Sequence, residues 1–210
     1  MPRDGTATRE RILDAAEQCL LSRGFAGTTV DAILEAAEIS RGTFFYHFDT
    51  KDDMARALVR RYAKADTKLA EEFMAKAEGL SRDPVQQVLI FMGLYIQMFE
   101  DLGQNPPGCL FATYSYEAGL FDRETHDIIV EAFRHWRHLL GAKLDQAIAA
   151  HPPRMPVESA DLADLAFGTF EGAMIMGRVL DEKEAMVRAL KHYRAYLELL
   201  FEVVPAVIPA

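Results

Sequence analysis

Residues 28–51 read TTVDAILEAAEISRGTFFYHFDTK, and the fold of the chain turns on this stretch. Val30, Ile33, Leu34 and Ala37 recur at helical spacing, which predicts a short helix with one buried face. Ser40 suits the N-cap of a second helix, because its hydroxyl can accept an orphan backbone N–H of the first turn. Arg41, Gly42 and Thr43 follow the cap, then Tyr46 and His47. Cations and hydroxyls for phosphates and base edges, with a glycine for close approach, suit a helix end entering a major groove. Two short helices joined by a tight turn predict a helix-turn-helix, whose expected ligand is duplex DNA.

Working outward, a helix is expected over Arg9–Arg23, ended by the Gly24-Phe25 break. Thr28-Thr29-Val30, Ser40-Arg41-Gly42-Thr43 and Tyr46-His47-Phe48, followed by Lys51, complete an ordered set in unbroken register. Over residues 8–56 this set resembles the N-terminal domain of the tetracycline-repressor (TetR) family. Beyond residue 65 the likeness is architectural only. The resemblance implies an all-α chain of about nine helices. Residues 1–50 would form a three-helix helix-turn-helix domain, and residues 51–210 a larger helical domain for effector binding and dimerisation. It assigns DNA contact to Thr28, Thr29, Ser40, Arg41, Gly42, Thr43, Phe45, Tyr46, His47 and Lys51. The family usually has glycine in the interhelical turn where this chain has Glu38, so the turn must be reached without that freedom. The family's phosphate-touching tyrosine is here Phe45, which lacks the hydroxyl.

Composition bounds the function. Half of the 210 residues are apolar, enough for one small and one larger core. The net charge of −9 speaks against a DNA binder until it is apportioned. Residues 1–64 hold ten Lys/Arg and ten Asp/Glu, so the acidic excess lies wholly beyond them. Arg3, Arg9, Arg11, Arg41 and Lys51 give the head a local basic edge, which together with helix N-termini can hold phosphates. No segment reaches the roughly 18 apolar residues of a membrane span. The start, MPRDGTATRER, lacks a signal-peptide core, which predicts a cytoplasmic protein. Cys19 and Cys109 fit no disulfide or zinc pattern. Cys19 falls in step with Ile12, Ala15 and Ala16, as a core residue would.

From residue 51 the pattern predicts helices over 51–77, 85–102, 107/108–118, 122–149, 159–179 and 181/182–203. Breaks are expected at Gly79, at Asp83-Pro84, over Gly103–Gly108 and at HPPRMP, with Ser159 as a cap. Leu165, Gly168, Gly172 and Met176 place small residues among apolar ones at three- and four-residue spacing, which lets a second helix approach closely. Tyr193, Leu197 and Leu200 give the final helix a matching face. In the family this helix pair builds a four-helix dimer interface, so a homodimer on a palindromic operator is expected. Tyr95, Met98, Phe99, Cys109, Phe111, Tyr114, Phe133 and Trp136 are the candidate lining of a small-molecule effector site. Cys109, near a helix start, also allows a thiol-based electrophile or redox sensor. His135 and His138 with Glu131 share a helix face but lack a second ligand cluster, so no metal and no cofactor are expected. No Walker loop, G-x-S-x-G, H-E-x-x-H or nucleotide fingerprint points to an enzyme. A helical interaction module that has lost DNA binding through Glu38 and Phe45 is the remaining alternative to an effector-released repressor.

Overall fold

The computed structural model describes residues 5–103 and 108–203. Its described residues form nine α-helices, joined by turns and one short 3-10 turn, with no strand. They divide into two compact units, Met1–Asp66 with Pro107–Ala132 and Thr67–Pro106 with Phe133–Ala210.

The first unit opens with α1 (Gly5–Arg23), which buries Ile12, Leu13, Ala16, Cys19 and Leu20 on one face. Gly24 ends it at φ 72, and its N–H donates to Leu20 O at 2.9 Å, the usual glycine stop. Helix α2 (Val30–Ala36) is capped by Thr29, whose hydroxyl accepts from Ala32 N at 3.2 Å. Helix α3 (Arg41–His47) is capped by Ser40, which accepts from Thr43 N at 3.1 Å. The turn between them solves the missing-glycine problem directly. Glu38 itself takes the left-handed conformation at φ 51, at a cost of about 1–2 kcal/mol for a residue with a Cβ. The helix end is closed in return by Ala37 N donating to Ile33 O at 2.9 Å and Ile39 N to Leu34 O at 3.1 Å. Ile33, Phe44 and Phe48 are buried in the interior of the same unit, where α2 packs on α1 and α3.

Helix α4 (Lys51–Leu80) starts on Thr50, whose hydroxyl accepts from Asp53 N at 3.0 Å. Arg61 of α4 gathers Glu10, Asp14 and Glu17 of α1 at 3.0, 2.7 and 2.7 Å. The unit also contains α6 (Leu110–Tyr116), the 3-10 turn Ala118–Leu120 and the start of α7 (Arg123–Ala150). Arg56 pairs with Asp122 and with Glu124, the latter at 3.4 Å, and Arg60 reaches Glu124 at 2.6 Å. The Arg56 hydrogen bond, helped by Thr125, holds the Asp122 carboxyl down at about 2. Its folded value lies below the ordinary one near 3.9, so this stabilisation is complete above about pH 4 and is lost as pH falls toward 2. Unfolding monitored between pH 5 and pH 2 should therefore show an acid-labile contribution that shrinks in Arg56→Gln. A variant with the same acid profile as the parent would show that the pair contributes nothing.

The second unit contains α5 (Pro84–Leu102), α8 (Ser159–Leu180), α9 (Ala185–Leu200) and the later parts of α4 and α7. Asp83 caps α5 by accepting from Gln86 N at 2.9 Å, and Pro84 occupies the first turn, where its missing N–H costs nothing. Helix α9 packs against α5 and α8, and the Tyr193 hydroxyl donates to Leu162 O at 2.8 Å.

Several helix boundaries differ from the sequence reading. Helix α4 runs through Gly79 to Leu80, where an exposed glycine is tolerated and a Cβ would meet nothing within 4 Å. Ser159 is the first helical residue of α8, and the cap position belongs to Glu158. Helix α9 starts at Ala185 because Asp181 takes a left-handed turn at φ 56. Helix α6 is shorter than expected, and the Gln104–Pro107 part of the expected break lies outside the described residues.

Candidate nucleic-acid interface

The α3 sequence sorts its side chains into two faces. Phe44, and Phe48 just past the helix, are buried and anchor it. Arg41, Gly42, Phe45 and Tyr46 lie on the outside, with Phe45 44% and Tyr46 82% exposed. An aromatic that exposed, on a helix pinned through its other face, has no folding reason to be there. His47 sits against Tyr46, ring centroids 5.0 Å apart, and is half-buried. Thr43 is half-buried as well, its hydroxyl 2.8 Å from that of Ser40. The Arg41 guanidinium pairs with Asp31 of α2 at 2.5 Å, and both side chains are exposed.

Two expected DNA contacts fall elsewhere. Thr28 is fully buried, and its hydroxyl donates to Gly24 O at 2.7 Å, which leaves Thr29 as the exposed hydroxyl of that pair. Lys51 turns inward: its Nζ donates to Phe25 O and Thr28 O, both at 2.9 Å, and lies 3.8 Å from the centre of the Phe25 ring. Burial lowers the pKa of this ammonium against the opposing pull of Asp52 and Glu117. Its position fits a brace for the α1–α2 turn better than a clamp on phosphate. Arg9 lies over the Phe48 ring at 5.0 Å, and Arg3 lies outside the described residues.

The expected effector lining divides between the units. In the second, Tyr95 and Trp136 face each other at 5.8 Å within a cluster that includes Phe73 and Phe91. Phe133 packs on Phe167 at 4.5 Å, and Phe99 on Phe170 at 5.5 Å. Met98 is half-buried on α5. In the first unit, Phe111 meets Tyr62 at 5.0 Å. Tyr114 is buried, with its hydroxyl donating to Ala55 O at 3.0 Å. That bond gives Tyr114 a packing role, and burial pushes its phenol well above the ordinary range. Cys109 is 6% exposed at the start of α6, so a thiol-reactive mechanism needs that segment to open first. Sequence reasoning missed a groove of about 660 Å³ between the end of α5 and α9, lined by Phe99, Glu100, Lys183, Arg188, Lys191 and His192 among others. Its charged residues had no recognisable spacing.

The expected dimer residues also separate. Leu165, Gly168, Gly172 and Met176 form an exposed row on α8, and no atom lies within 4 Å of a Cβ built at either glycine. Tyr193, Leu197 and Leu200 instead are buried within the protomer, where α9 meets α8 and α5. The exposed row continues through Ile175 and Val179, and Leu199 is the exposed apolar residue of α9. The same three- and four-residue spacing, carried further, would have found the first two.

The fold has counterparts among known proteins. A model of bacterial regulatory proteins of the tetR family matches residues 12–58. A second, of the tetracyclin repressor-like C-terminal domain, matches residues 84–193. The chain is 25% identical over 189 residues to the HTH-type transcriptional repressor NemR of Escherichia coli K12, covering 89% of this chain and 92% of that protein. The solved structure of E. coli NemR in its reduced form matches with a TM-score of 0.72 at 23% identity, over 96% of this chain and 100% of that one. A TetR-family regulator from Agrobacterium tumefaciens matches with a TM-score of 0.74 at 21% identity, over 94% and 100%. With a matching head, a matching C-terminal domain and an all-helical fold, the chain belongs to the tetR family of bacterial transcription regulators, which bind DNA through a helix-turn-helix head.

Proposed function

We propose that the protein is a homodimeric repressor that binds a palindromic operator and is released from it by a small-molecule effector. The observation that carries this reading is the outer face of α3, where Arg41, Gly42, Phe45 and Tyr46 stand free of the core that holds the helix. Arg41, Gly42 and Thr43 read bases or adjacent phosphates, Tyr46 and His47 flank them, and Thr29 takes the phosphate backbone at the α2 end. Ser40 holds the helix start in shape. Residues 1–50 act as the reading head, and residues 51–210 carry effector binding and dimerisation. The exposed α8 row with Leu199 of α9 forms the two-fold interface, and the Tyr95–Trp136 cluster forms part of the effector site. The relatives named above are transcription regulators, which favours regulation over catalysis, at work in the cytoplasm where the operator lies. Release requires the effector to bind the DNA-free state more tightly than the DNA-bound one.

Tyr46→Ala and Thr43→Ala separate affinity from specificity. With its largely exposed ring, Tyr46→Ala should leave thermal unfolding unchanged and lower operator affinity by about 1–3 kcal/mol, roughly five- to 150-fold. Thr43→Ala should narrow the gap between operator and scrambled DNA. Anisotropy titrations on both duplexes measure this. Unchanged affinity in both variants would remove α3 as the reading element.

A further inference from the structure

The α1–α2 turn, residues 24–28, is held from two sides by charged side chains that the DNA-reading role does not use. Gly24, at φ 72, aims the N–H groups of Phe25 and Ala26 to one side, an arrangement suited to an anion. Glu117 fills it: Oε1 accepts from Phe25 N at 3.1 Å and Oε2 from Ala26 N at 2.8 Å. From the other side Lys51 takes the Phe25 and Thr28 carbonyls. The Phe25 ring lies 3.8 Å from the Lys51 ammonium and 4.4 Å from the Phe121 ring. Phe121 in turn packs on Tyr114 at 4.1 Å.

Glu117 is badly placed for α6 itself. It is the C-cap residue, where the negative end of the helix disfavours a carboxylate. Its position makes sense through the turn it holds, 91 and 92 residues earlier in the chain. Gly24 agrees with this, since a Cβ there would stand 2.2 Å from Glu117 Oε1.

We propose that Glu117 is a positioning residue for DNA recognition, its carboxylate fastening the α1–α2 turn of the reading head to the end of α6. Two heads engage two half-sites only when each is held at a set distance and angle, so slack at this joint weakens paired binding and spares single-head contacts. The inference rests on the paired-head reading above.

The test uses the full-length chain and a duplex enriched by the parent protein from a random-sequence pool, beside a scrambled duplex. Glu117→Ala should lose about tenfold in affinity for the enriched duplex, the scale of a typical coupling between sites, and stay within about twofold on the scrambled one. Amide exchange at Phe25 and Ala26 should accelerate about tenfold or more while that of Phe48 is unchanged, showing that the head remains folded. Glu117→Gln, which keeps one acceptor oxygen, should recover part of the loss. Equal losses on both duplexes, or unaltered exchange at Phe25 and Ala26, would overturn the positioning role. Failure of the parent to enrich any duplex would overturn the paired-head reading first, and this inference with it.

Discussion

Gly172→Glu should convert the protein to a monomer and lower its affinity for a two-half-site duplex by about 100-fold or more, while the protomer unfolds as before. The size follows from linkage: once one head is bound, the second binds at a high effective concentration, an advantage of roughly 10²–10⁴. That advantage vanishes when the copies separate. The position makes the experiment clean, because a Cβ at Gly172 meets nothing within 4 Å in its own protomer. A glutamate there starts from open space, on a face that also presents Leu165, Met176 and Val179 to solvent. Desolvating an unpaired carboxylate in such an interface is strongly unfavourable. Sedimentation velocity and anisotropy report the two effects separately. A dimer with parental affinity would place the interface on another surface.

Phe44 and Phe45 are adjacent and should fail in opposite ways. Phe44 is fully buried, its ring 5.8 Å from that of Phe48. Phe44→Ala should destabilise the first unit by about 3–5 kcal/mol through lost burial and the cavity left behind. Against a typical domain stability of about 5–15 kcal/mol, this loss unfolds much of the head and abolishes DNA binding with it. Phe45→Ala, on the exposed face, should change stability by only about 0.5 kcal/mol and weaken DNA binding with the head still folded. Denaturant unfolding followed by far-UV circular dichroism, beside the DNA titration, distinguishes them. Equal stability losses would mean that α3 is rotated from the orientation described.

The contrast between these two residues also shows what the sequence made legible. The helix-turn-helix, the cap Ser40, the Pro84 start of α5 and the core role of Cys19 were readable because each depends on neighbours within a turn or two. Glu38 was recognisable as the irregular position of the turn, and the structure answers it with a left-handed glutamate. Residues whose partners are distant in sequence were not readable. Lys51 follows α3 as a phosphate-binding cation would, yet its partners are carbonyls 26 and 23 residues earlier. Glu117 carried no signal at all. Helix α9 shows a third limit, since an apolar face looks the same in sequence whether another helix of the protomer or a second copy covers it. Tyr193, Leu197 and Leu200 proved to be the inner face, and Leu199 the outer.

Sequence-specific recognition by α3 is tested most directly by anisotropy titration against DNA from upstream of the protein's own gene, beside scrambled DNA, at two salt concentrations. The expected result is tight binding to one duplex and weak binding to the other, with affinity falling on a log–log salt slope of about −0.9 per phosphate contacted. Weak, equal binding to both, unchanged when Glu38→Gly and Phe45→Tyr are introduced together, would contradict it.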